Sequence, residues 1–586
     1  MLALSFLPLS AEQISKAKPF KRLGTQRSVD VQRLPKGEPG RQRGAKKVHR
    51  RPTLPKRPHT GRSVRAHTRD ASAPAPQMTA KAPVLSFEGL ADDNTAIPPD
   101  TMGAVGLGHV MTTLNTQFRV QSRTGTTLTT VAHDAFWQTT GAFDPKVFYD
   151  HDANRWIVVA LDGAWEPTSS LLIAVSDSAD PTGTWTIHDI PADQNEIGAW
   201  GDFPIAGFNG TYFVVTLNMF EIAGAGDFAE SAVFVFDKAA LYADTIDGVF
   251  HTSVYDFCMA PAVSFDGDTG PVYLVESGWP PSTAWLLTVD DQSLDFEGEI
   301  QGLSWDYWAG NFAPQAGGNL IDLGDDRMTN AVLQNGWLYA SQTAFLPAQE
   351  PTTAVAQWWR IKPDLNEGAQ YRIASPATGG MLAYPSIAVN EANDVVIGYS
   401  AFSPSSYASA AYSYRRASDS PGLMSAPHVF KSGEANYYKT YGGFYNRWGD
   451  YSATVVDPLD DMTFWTIQEY AESPINSESQ WGTWWAKIVT APFAAPANLT
   501  ATASGTTSVG VSWSAVGDIT HYQLERSSNG APYAGIGGAL VDPVYTDMNV
   551  TSNTTYLYRV RAMAGATPSG YSNVDPATTI VFTDNP

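Results

Sequence analysis

The sequence predicts an all-β fold, namely a seven-bladed β-propeller. Short β-branched and aromatic runs alternate with turns rich in Gly, Asp and Pro, and helical periodicity is almost absent. One plan of strand, polar turn and returning strand recurs with starts at Gly103, Pro145, Pro204, Pro261, Asn330, Pro385 and Ser452. A strand pair cannot bury both faces alone, so this repeat, at spacings of 42 to 69 residues, predicts blades stacked around an axis.

The clearest copy of the plan runs from Phe143 to Gly163, where a proline-started strand and a β-branched strand flank a polar turn. The copies place the propeller at residues 84–491. The run LSFEGL, from Leu85 to Leu90, is predicted to close the ring by pairing with WGTWWAKIV, from Trp481 to Val489.

The first 80 residues differ from the rest of the chain in charge. Residues 1–70 carry 18 Lys or Arg against 4 Asp or Glu, whereas the remaining residues carry 19 against 55. Because this segment has scattered Pro and Gly and little apolar periodicity, we expect a disordered basic arm at residues 1–80. The apolar start, Met1 to Ala11, resembles part of a secretory signal or propeptide.

Composition excludes several classes of protein. No apolar run approaches the length of a membrane span, and one cysteine, Cys258, cannot form an internal disulfide. The acidic body would repel nucleic acid, so the expected partners are an extracellular polysaccharide or a surface glycoprotein. We expect a monomer without a transmembrane segment.

A separate module occupies residues 495–584. Its strands alternate apolar and polar residues, as in a β-sandwich. The module resembles a fibronectin type III domain: Trp513 matches that family's buried tryptophan, Tyr522 its next-strand tyrosine, and Tyr556, Tyr558 and Val560 its YxYRVxA strand. The resemblance implies a spacer of the kind found in secreted bacterial proteins.

The propeller region has its own resemblance. IPPDTMGAVGLGHVMTTLN, AVSDSADPTGTW, WGDFPIAGFNGTYFVVTLNMF and RWGDYSATVVDP are similar to the characteristic runs of a largely uncharacterised family of exported bacterial β-propellers, distantly related to sialidases. The resemblance implies architecture and export. DPTGTW, from Asp180 to Trp185, is similar to the sialidase Asp-box turn with altered spacing, and no sialidase catalytic set can be assigned.

Charged and aromatic residues precede the predicted first strands, which would line the axis of a propeller. We therefore expect them to rim one mouth of the central channel. The candidates with a catalytic role are Asp144, Asp202 and Asp450. Met259 also precedes a first strand. The candidates for ligand binding on this rim are Asp100, Arg327, Tyr384 and Arg447.

Three roles remain open for the aspartates at this mouth. They could cap turns, perform acid–base chemistry or hold a hard cation, for which Ca²⁺ is the natural choice. DGDTG, from Asp266 to Gly270, and DPLDD, from Asp457 to Asp461, resemble Ca²⁺ loops only in composition. No metal ligand can be assigned from sequence.

Tryptophan is abundant, with 18 residues in clusters. QWWR and WGTWW are expected to fill the wedges between blades. WDYWAGNF lies in a glycine-rich connection, so Trp305 and Trp308 are predicted to form a ligand-facing shelf.

Two functions fit these features. The first is a secreted or cell-surface protein that binds or processes extracellular glycan at the channel mouth; as an enzyme it would be a glycoside hydrolase or polysaccharide lyase. The second is a non-catalytic adhesion protein that binds other proteins.

Overall fold

The computed structural model describes residues 12–36, 63–65, 67–69 and 80–580, apart from residues 225, 309, 366, 491–494, 518, 529–530 and 565–566. Nearly all of the regular structure is β. Among the described residues, two α-helices of five residues each lie at His133–Trp137 and Lys238–Tyr242, and two 3₁₀ turns lie at Val31–Arg33 and Pro363–Leu365. Within the described residues, no helix is long and apolar enough to cross a membrane.

Residues 80–490 form antiparallel units of four strands each, which we number along the chain. The strands of units 1 to 3 are Met102–Val105, His109–Thr113, Gln117–Ser122 and Thr127–Ala132; Phe143–Asp150, Arg155–Asp162, Ser170–Ser176 and Thr184–Pro191; and Ala199–Phe208, Tyr212–Glu221, Phe228–Asp237 and Gly248–Ser253. The strands of units 4 and 5 are Ala260–Ser264, Val272–Ser277, Thr283–Val289 and Ser293–Gln301; and Asn330–Gln334, Trp337–Leu346, Thr353–Lys362 and Glu367–Ile373. A small hairpin, Asn311–Ala313 with Ile321–Asp322, lies between units 4 and 5.

Units 6 and 7 complete the series. Their strands are Met381–Val389, Val395–Ser403, Ser406–Arg415 and His428–Lys431; and Ala453–Val456, Phe464–Ile475, Glu478–Ile488 and Leu85–Ala91. The last strand of unit 7 thus comes from the other end of the region, as the sequence predicts. Trp485 pairs with Phe87 and Trp484 with Glu88 in the antiparallel ladder.

The first strands of the units contact one another in sequence. Each contacts the first strand of the following unit, and Ala453–Val456 of unit 7 contacts Met102–Val105 of unit 1. Units 3, 4 and 5 are also joined by parallel pairing between their first strands, which merges them into a sheet of sixteen strands together with strands of the N-terminal arm. The innermost strands therefore surround a common space.

Tryptophan side chains fill the space between neighbouring units. Trp358 and Trp359 of QWWR and Trp481 and Trp485 of WGTWW are fully buried. Their burial agrees with the packing role expected for both clusters, since bulky rings contribute a large buried apolar area.

The expectation of a disordered arm is wrong for the arm segments that the structure describes. Thr25–Asp30 pairs with the outer strand of unit 2, Lys18–Pro19 with that of unit 3, and Glu12–Lys16 with that of unit 4. Ser63–Arg65 and His67–Arg69 add parallel strands to units 4 and 5. An outer strand offers unpaired N–H and C=O groups, so a polar segment can become ordered there without a core of its own.

The arm approaches unit 2 so closely that a side chain is excluded at one position. A Cβ atom on Gly24 would overlap the carbonyl oxygen of Asp189. Charge pairing supports the contact, because Arg27 Nη1 lies 3.0 Å from Asp189 Oδ2 and Arg22 Nη2 lies 3.1 Å from Glu196 Oε1. Basic side chains of the arm thus contact the acidic body.

The C-terminal module is a β-sandwich. Its strands are Thr500–Ala503, Val509–Ser512, His521–Ser528, Ala534–Leu540, Val544–Asp547, Thr555–Ala564, Thr567–Tyr571 and Asp575–Thr578. Trp513 is buried in its core, as the resemblance implies, and Tyr522, Tyr556, Tyr558 and Val560 are buried beside it.

The module contacts the turns of units 6 and 7. Arg559 Nη1 donates to the carbonyl oxygen of Leu459 at 3.2 Å, and Arg561 Nη1 lies 3.3 Å from Glu391 Oε2. The Arg559 guanidinium lies between the rings of Tyr533 and Tyr571, 4.1 and 3.9 Å from their centroids. This stack faces the space inside the first strands.

Candidate functional site

Four of the predicted aspartates converge on one tyrosine at the beginning of the first strands. Tyr451 Oη donates to Asp144 Oδ2 at 3.2 Å, and Tyr451 is buried. Burial raises the pKa of the Tyr451 phenol well above its usual value, and Asp144, Asp100, Asp450 and Asp202 raise it further. We call this group of four aspartates and Tyr451 the acidic end.

The aspartates of the acidic end differ in exposure. Asp100 and Asp144 are fully buried, whereas Asp202 and Asp450 are half-buried. Asp202 and Asp450 are therefore the carboxylates that a ligand could reach, and the other two contribute mainly through their field.

An unusual backbone conformation recurs within the first strands or directly before them. Asp100, Asp144, Phe203, Cys258 and Tyr384, in units 1, 2, 3, 4 and 6, all have φ between 54° and 59°. A left-handed conformation is costly for residues with a Cβ, so the surrounding structure must hold it in place.

For three of these residues, a side chain from the second strand of the preceding unit, or from the residues just after it, accepts a hydrogen bond from the backbone amide. Asn115 Oδ1 accepts from the Asp144 amide at 2.7 Å, Asn218 Oδ1 from the Cys258 amide at 3.0 Å, and Thr343 Oγ1 from the Tyr384 amide at 3.0 Å. The sequence reasoning missed these residues, although Asn115 and Asn218 both end a repeated TLN run.

Asn115 also joins two members of the acidic end. Its Nδ2 donates to Asp100 Oδ2 at 2.5 Å and to the carbonyl oxygen of Pro98 at 3.0 Å. One amide side chain thus positions both Asp100 and Asp144.

The predicted arginines form ion pairs at the rim of the acidic end. Arg447 Nη2 donates to both carboxylate oxygens of Asp450, at 2.6 and 2.8 Å. Arg327 binds Asp325 through two hydrogen bonds of 2.7 and 2.6 Å, and its guanidinium carbon lies 4.1 Å from the centroid of Phe203. Such paired contacts hold a guanidinium in one orientation.

The remaining predicted rim residues are Tyr384 and Met259. Tyr384 Oη donates to the carbonyl oxygen of Asp322 at 2.7 Å, and burial raises its pKa well above the usual value, with Asp322 and Asp450 adding to the shift. Met259 is fully buried in the core between units, so it cannot contact a ligand at the rim.

A further carboxyl group, that of Glu469, was not predicted. Its side chain is buried, and neither carboxyl oxygen has a hydrogen-bond partner among the described residues. Burial raises its pKa well above the usual value, and Asp100, Asp92 and Asp450 raise it further. Burial and the neighbouring carboxyl groups therefore both favour the protonated form of Glu469.

The structure separates the two tryptophans of the predicted shelf. Trp305 is only 1% exposed and donates its indole N–H to Asp326 Oδ2 at 2.7 Å, so the prediction that it faces a ligand is wrong. Its ring packs edge-on against Trp359, inside the core.

Trp308, in contrast, is 44% exposed and forms an edge contact with Tyr445, which in turn contacts the 80% exposed Phe444. We call Trp308, Phe444 and Tyr445 the aromatic shelf. It adjoins the rim, because Trp308 bridges to Asp325 and Tyr445 lies two residues before Arg447.

A cavity of about 790 Å³ lies inside the first strands. All seven first strands, or the residues directly before them, contribute to its wall, and the sandwich module contributes Glu525, Tyr533, Arg559 and Tyr571 at the far side. Lys146 stands near the acidic end, with Nζ 2.7 Å from the centroid of Tyr451. The cavity wall thus runs from Lys146, which contacts Tyr451 of the acidic end, to the C-terminal module.

The acidic turns have structural roles. Asp180 Oδ1 accepts from the Thr182 amide at 2.9 Å, Asp268 Oδ1 from the Gly270 amide at 3.0 Å, and Asp460 Oδ1 from the Thr463 amide at 2.8 Å. These carboxylates cap their own turns. Among the described residues, no group of three or more His, Cys, Asp or Glu side chains is arranged to hold a metal ion.

Comparisons with known proteins identify the C-terminal module. Residues 494–575 match the model of the fibronectin type III domain, so the chain carries such a domain at this end. An alpha-amylase from Niallia circulans is 40% identical over 90 residues, which are 15% of this chain and 6% of the amylase.

Solved structures were also compared. A Fn3-like protein from Clostridium thermocellum is 26% identical, with 16% of this chain and 97% of that chain covered and a TM-score of 0.14. Titin kinase with its flanking domains is 22% identical, with 15% and 17% covered and a TM-score of 0.14. The chain spans only a small part of the curated relative that it matches.

Proposed function

We propose that this chain is an extracellular protein that binds glycan at the acidic end of a seven-bladed β-propeller. The propeller is supported by the units of four antiparallel strands, by the succession of contacts between their first strands and by the N-terminal strand that completes unit 7. In that arrangement the acidic end is one mouth of the central channel.

One observation carries the glycan proposal, namely that the aromatic shelf adjoins the carboxylates and guanidinium groups of the acidic end. A sugar ring presents an apolar face that stacks on an aromatic ring and hydroxyl groups that bond to charged side chains. Trp308 and Phe444 offer exposed rings, and Asp202, Asp450 and Arg447 offer polar atoms within reach of solvent.

Two features favour an extracellular location. Fibronectin type III domains are common in extracellular proteins, and a protein named as an alpha-amylase shares a 90-residue segment with this chain. Glycan polymers are ligands of such proteins, so location and ligand support each other.

The acidic end also suits acid–base chemistry on the bound glycan. Burial raises the pKa of Glu469, whereas Asp450 is paired with Arg447, and acid and base pairs in enzymes differ in environment in a similar way. Asp202 and Asp450 are the proposed reacting carboxylates, with Arg447, Arg327 and Tyr384 orienting the ligand. Asp144, which the sequence also suggested as catalytic, is buried and would not touch the ligand.

The test is a glycan array with the full chain, followed by calorimetry on the best ligand. Trp308→Ala and Phe444→Ala should each weaken binding about tenfold, which is about 1.4 kcal/mol. Leu365→Ala is the control, because Leu365 is 56% exposed on the outer turn of unit 5, away from the shelf.

Turnover is tested separately, by release of reducing or unsaturated ends from the bound polysaccharide. Asp202→Asn and Asp450→Asn should abolish release and leave the fold intact by circular dichroism. Binding without release identifies a recognition protein. If the array is empty and a protein ligand depends on Phe444, the adhesion alternative replaces the glycan proposal.

A further inference from the structure

The cavity inside the first strands has the size of a small-molecule site. Its volume of about 790 Å³ falls within the range of roughly 300–1,000 Å³ that is usual for ligand pockets. First strands of all seven units share its wall with the C-terminal module, so the cavity lies where two regions of the chain meet. Ligand sites occur preferentially at such boundaries.

Many of the side chains that line this cavity are apolar. Five units contribute one each, namely Met102, Phe148, Val263, Val332 and Val455. These side chains are only half-buried, so part of their apolar surface stays open to the cavity. A ligand that covered this surface would remove it from water, which is the main driving force for binding apolar molecules.

Polar side chains in the same wall are bound to their neighbours. Asn330 Nδ2 donates to the carbonyl oxygen of Ile387 at 2.8 Å, and Asn330 Oδ1 accepts from the Ile387 amide at 3.3 Å. Ser452 Oγ donates to the carbonyl oxygen of Tyr384 at 2.9 Å. These groups are satisfied without a polar ligand. Such a wall also holds water weakly, because an ordered water needs several polar partners.

Aromatic rings line the cavity as well. The His151 ring stacks on Phe265, with the two centroids 4.0 Å apart. The C-terminal module contributes Tyr533 and Tyr571, whose rings lie on either side of the Arg559 guanidinium. Aromatic faces attract apolar groups and also ammonium groups.

One carboxyl group of the wall, that of Asp461, keeps its capacity to accept hydrogen bonds. Burial raises the pKa of Asp461 to about 6, with Asp460 and Glu391 adding to the shift and His151 and Arg559 opposing it. No residue in the part of the chain that the structure describes donates a hydrogen bond to this carboxyl. Above pH 6 the group is chiefly ionised, so it can accept from a donor on a ligand.

The arginines near Asp461 are already paired with other carboxylates. Arg559 Nε donates to Glu525 Oε2 at 2.8 Å, and Arg561 Nη1 lies 3.3 Å from Glu391 Oε2. A ligand carboxylate would have to compete for these arginines and would be repelled by Asp461. A ligand ammonium, in contrast, would form a charge-assisted hydrogen bond with Asp461.

We propose that this cavity is a binding site for an apolar amine, whose hydrocarbon part lies against Phe148, Val263 and Val332 and whose ammonium binds Asp461. The site is separate from the acidic end, so the inference does not depend on glycan binding. It also makes the C-terminal module part of a binding site.

A fluorescent apolar probe tests whether the cavity accepts such molecules. N-phenyl-1-naphthylamine becomes brighter in apolar surroundings, and it is titrated into the full chain. Val332→Phe and Val263→Phe should each weaken probe binding at least about tenfold, because the larger side chain occupies cavity space. Val541→Phe is the matched control, since Val541 is 74% exposed and lies outside the cavity wall.

Trp308→Ala separates the cavity from the aromatic shelf, which is a second apolar surface open to the probe. Probe affinity should be unchanged in this variant. Loss of binding in Trp308→Ala together with full binding in Val332→Phe would place the probe on the shelf and overturn the inference.

Matched alkyl compounds test the head group. Decylamine, 1-decanol and decanoate share one hydrocarbon chain, and each competes with the probe for the full chain. We expect decylamine to displace the probe at a concentration at least about tenfold lower than decanoate, with decanol between them.

Asp461→Asn is the diagnostic variant for the ammonium contact. It should remove most of the advantage of decylamine and leave displacement by decanol nearly unchanged. The φ angle of Asp461 is 52°, and asparagine tolerates this left-handed conformation, so the variant should fold. Asp364→Asn is the matched control, because the Asp364 side chain is 64% exposed on an outer turn.

The outcomes decide both parts of the inference. If the probe fails to bind, or binds equally to the wild type, Val332→Phe and Val263→Phe, the cavity is not a site for apolar molecules. Equal displacement by decylamine and decanoate, or an amine preference that persists in Asp461→Asn, contradicts the assignment of an amine. The glycan array is independent of these measurements, so the proposed function stands or fails separately.

Discussion

Individual carboxyl groups at the acidic end have different roles because their surroundings differ. Asp100 and Asp144 are buried but share Asn115 as a hydrogen-bond partner. Asp450 is held by Arg447, whereas neither oxygen of the buried Glu469 has a hydrogen-bond partner in the part of the chain that the structure describes. The last case has a measurable consequence, since a buried carboxyl without a partner is favourable only while it is protonated.

Replacement of Glu469 by Gln should change how stability depends on pH. The folded state raises the pKa of Glu469 above its unfolded value, so its stabilising effect is complete at pH below about 4.3 and is lost as pH rises towards the folded pKa. In that window the wild type should lose about 1.4 kcal/mol per pH unit relative to Glu469→Gln, which cannot ionise. Denaturant unfolding from pH 4 to 8 measures the difference.

Glu472→Gln serves as a comparison for this experiment. The pKa of Glu472 is also raised, but its side chain is only half-buried, so we expect a smaller change in the pH dependence of stability. Parallel pH profiles for the wild type and Glu469→Gln would show that Glu469 ionises normally and has polar surroundings.

At the scale of elements, outer strands are extended by the N-terminal arm. The arm is rich in basic side chains and poor in apolar ones, so composition by itself indicates disorder. The arm becomes ordered because the outer strands of the units pair their open N–H and C=O groups with arm segments. The arm strand Thr25–Asp30 thus depends on the sheet it joins.

Gly24→Val should detach this strand from unit 2. A valine side chain would collide with the carbonyl group of Asp189, so the segment 21–33 should become open to trypsin at Lys21 and Arg27. We expect cleavage in the arm to accelerate at least about tenfold while the seven units stay intact, as local unfolding of a peripheral strand permits. Mass spectrometry of the early fragments measures this.

Gly535→Val is the control for this substitution. A Cβ at Gly535 meets no atom within 4 Å, although the residue also lies in a strand. Equal cleavage rates for Gly24→Val and the wild type would mean that the arm is not held by unit 2.

At the scale of the whole molecule, the fibronectin type III domain does more than extend the chain. Its Tyr533, Arg559 and Tyr571 form part of the cavity wall, and Arg561 reaches Glu391 across the contact. The contacts of Arg559 with Leu459 and of Arg561 with Glu391 are polar, and polar interfaces permit relative domain motion. The domain is therefore placed to regulate access to the far side of the cavity.

Charge reversal tests this placement. Arg561→Glu puts two carboxylates at the contact with Glu391, so the domain should move away and expose the cavity wall. In a Cys258→Ser background, a cysteine at Val263, which lines the cavity, should then react with a bulky maleimide at least about tenfold faster. The labelling rate is measured by mass spectrometry.

The charge-swapped pair Arg561→Glu with Glu391→Arg is the matched control and should restore slow labelling. A cysteine at the exposed Thr500 should react equally in every variant. If Arg561→Glu leaves the Val263→Cys rate unchanged, the domain does not control this side of the cavity.

Sequence reasoning located the strands and the residues before them, because both leave local patterns. The recurring order of strand, turn and strand marked the units. The closing strand was predicted because the last strand of the region, in Trp481–Val489, needed a partner strand. Asp100, Asp144, Asp202 and Asp450 were found by their shared position in the repeat. Glu469 and Asn115 were missed, since each lies within a run that reads as an ordinary strand.

The all-β fold, the fibronectin type III domain and the list of residues that enter the first strands were determined by the sequence itself, because periodicity and turn chemistry act over a few neighbouring residues. Only the tertiary structure decided that Trp305 is buried while Trp308 is exposed, that basic arm segments become strands and that Glu469 joins the aspartates. Burial and charge proximity depend on residues far apart in the chain, and no local pattern encodes those contacts.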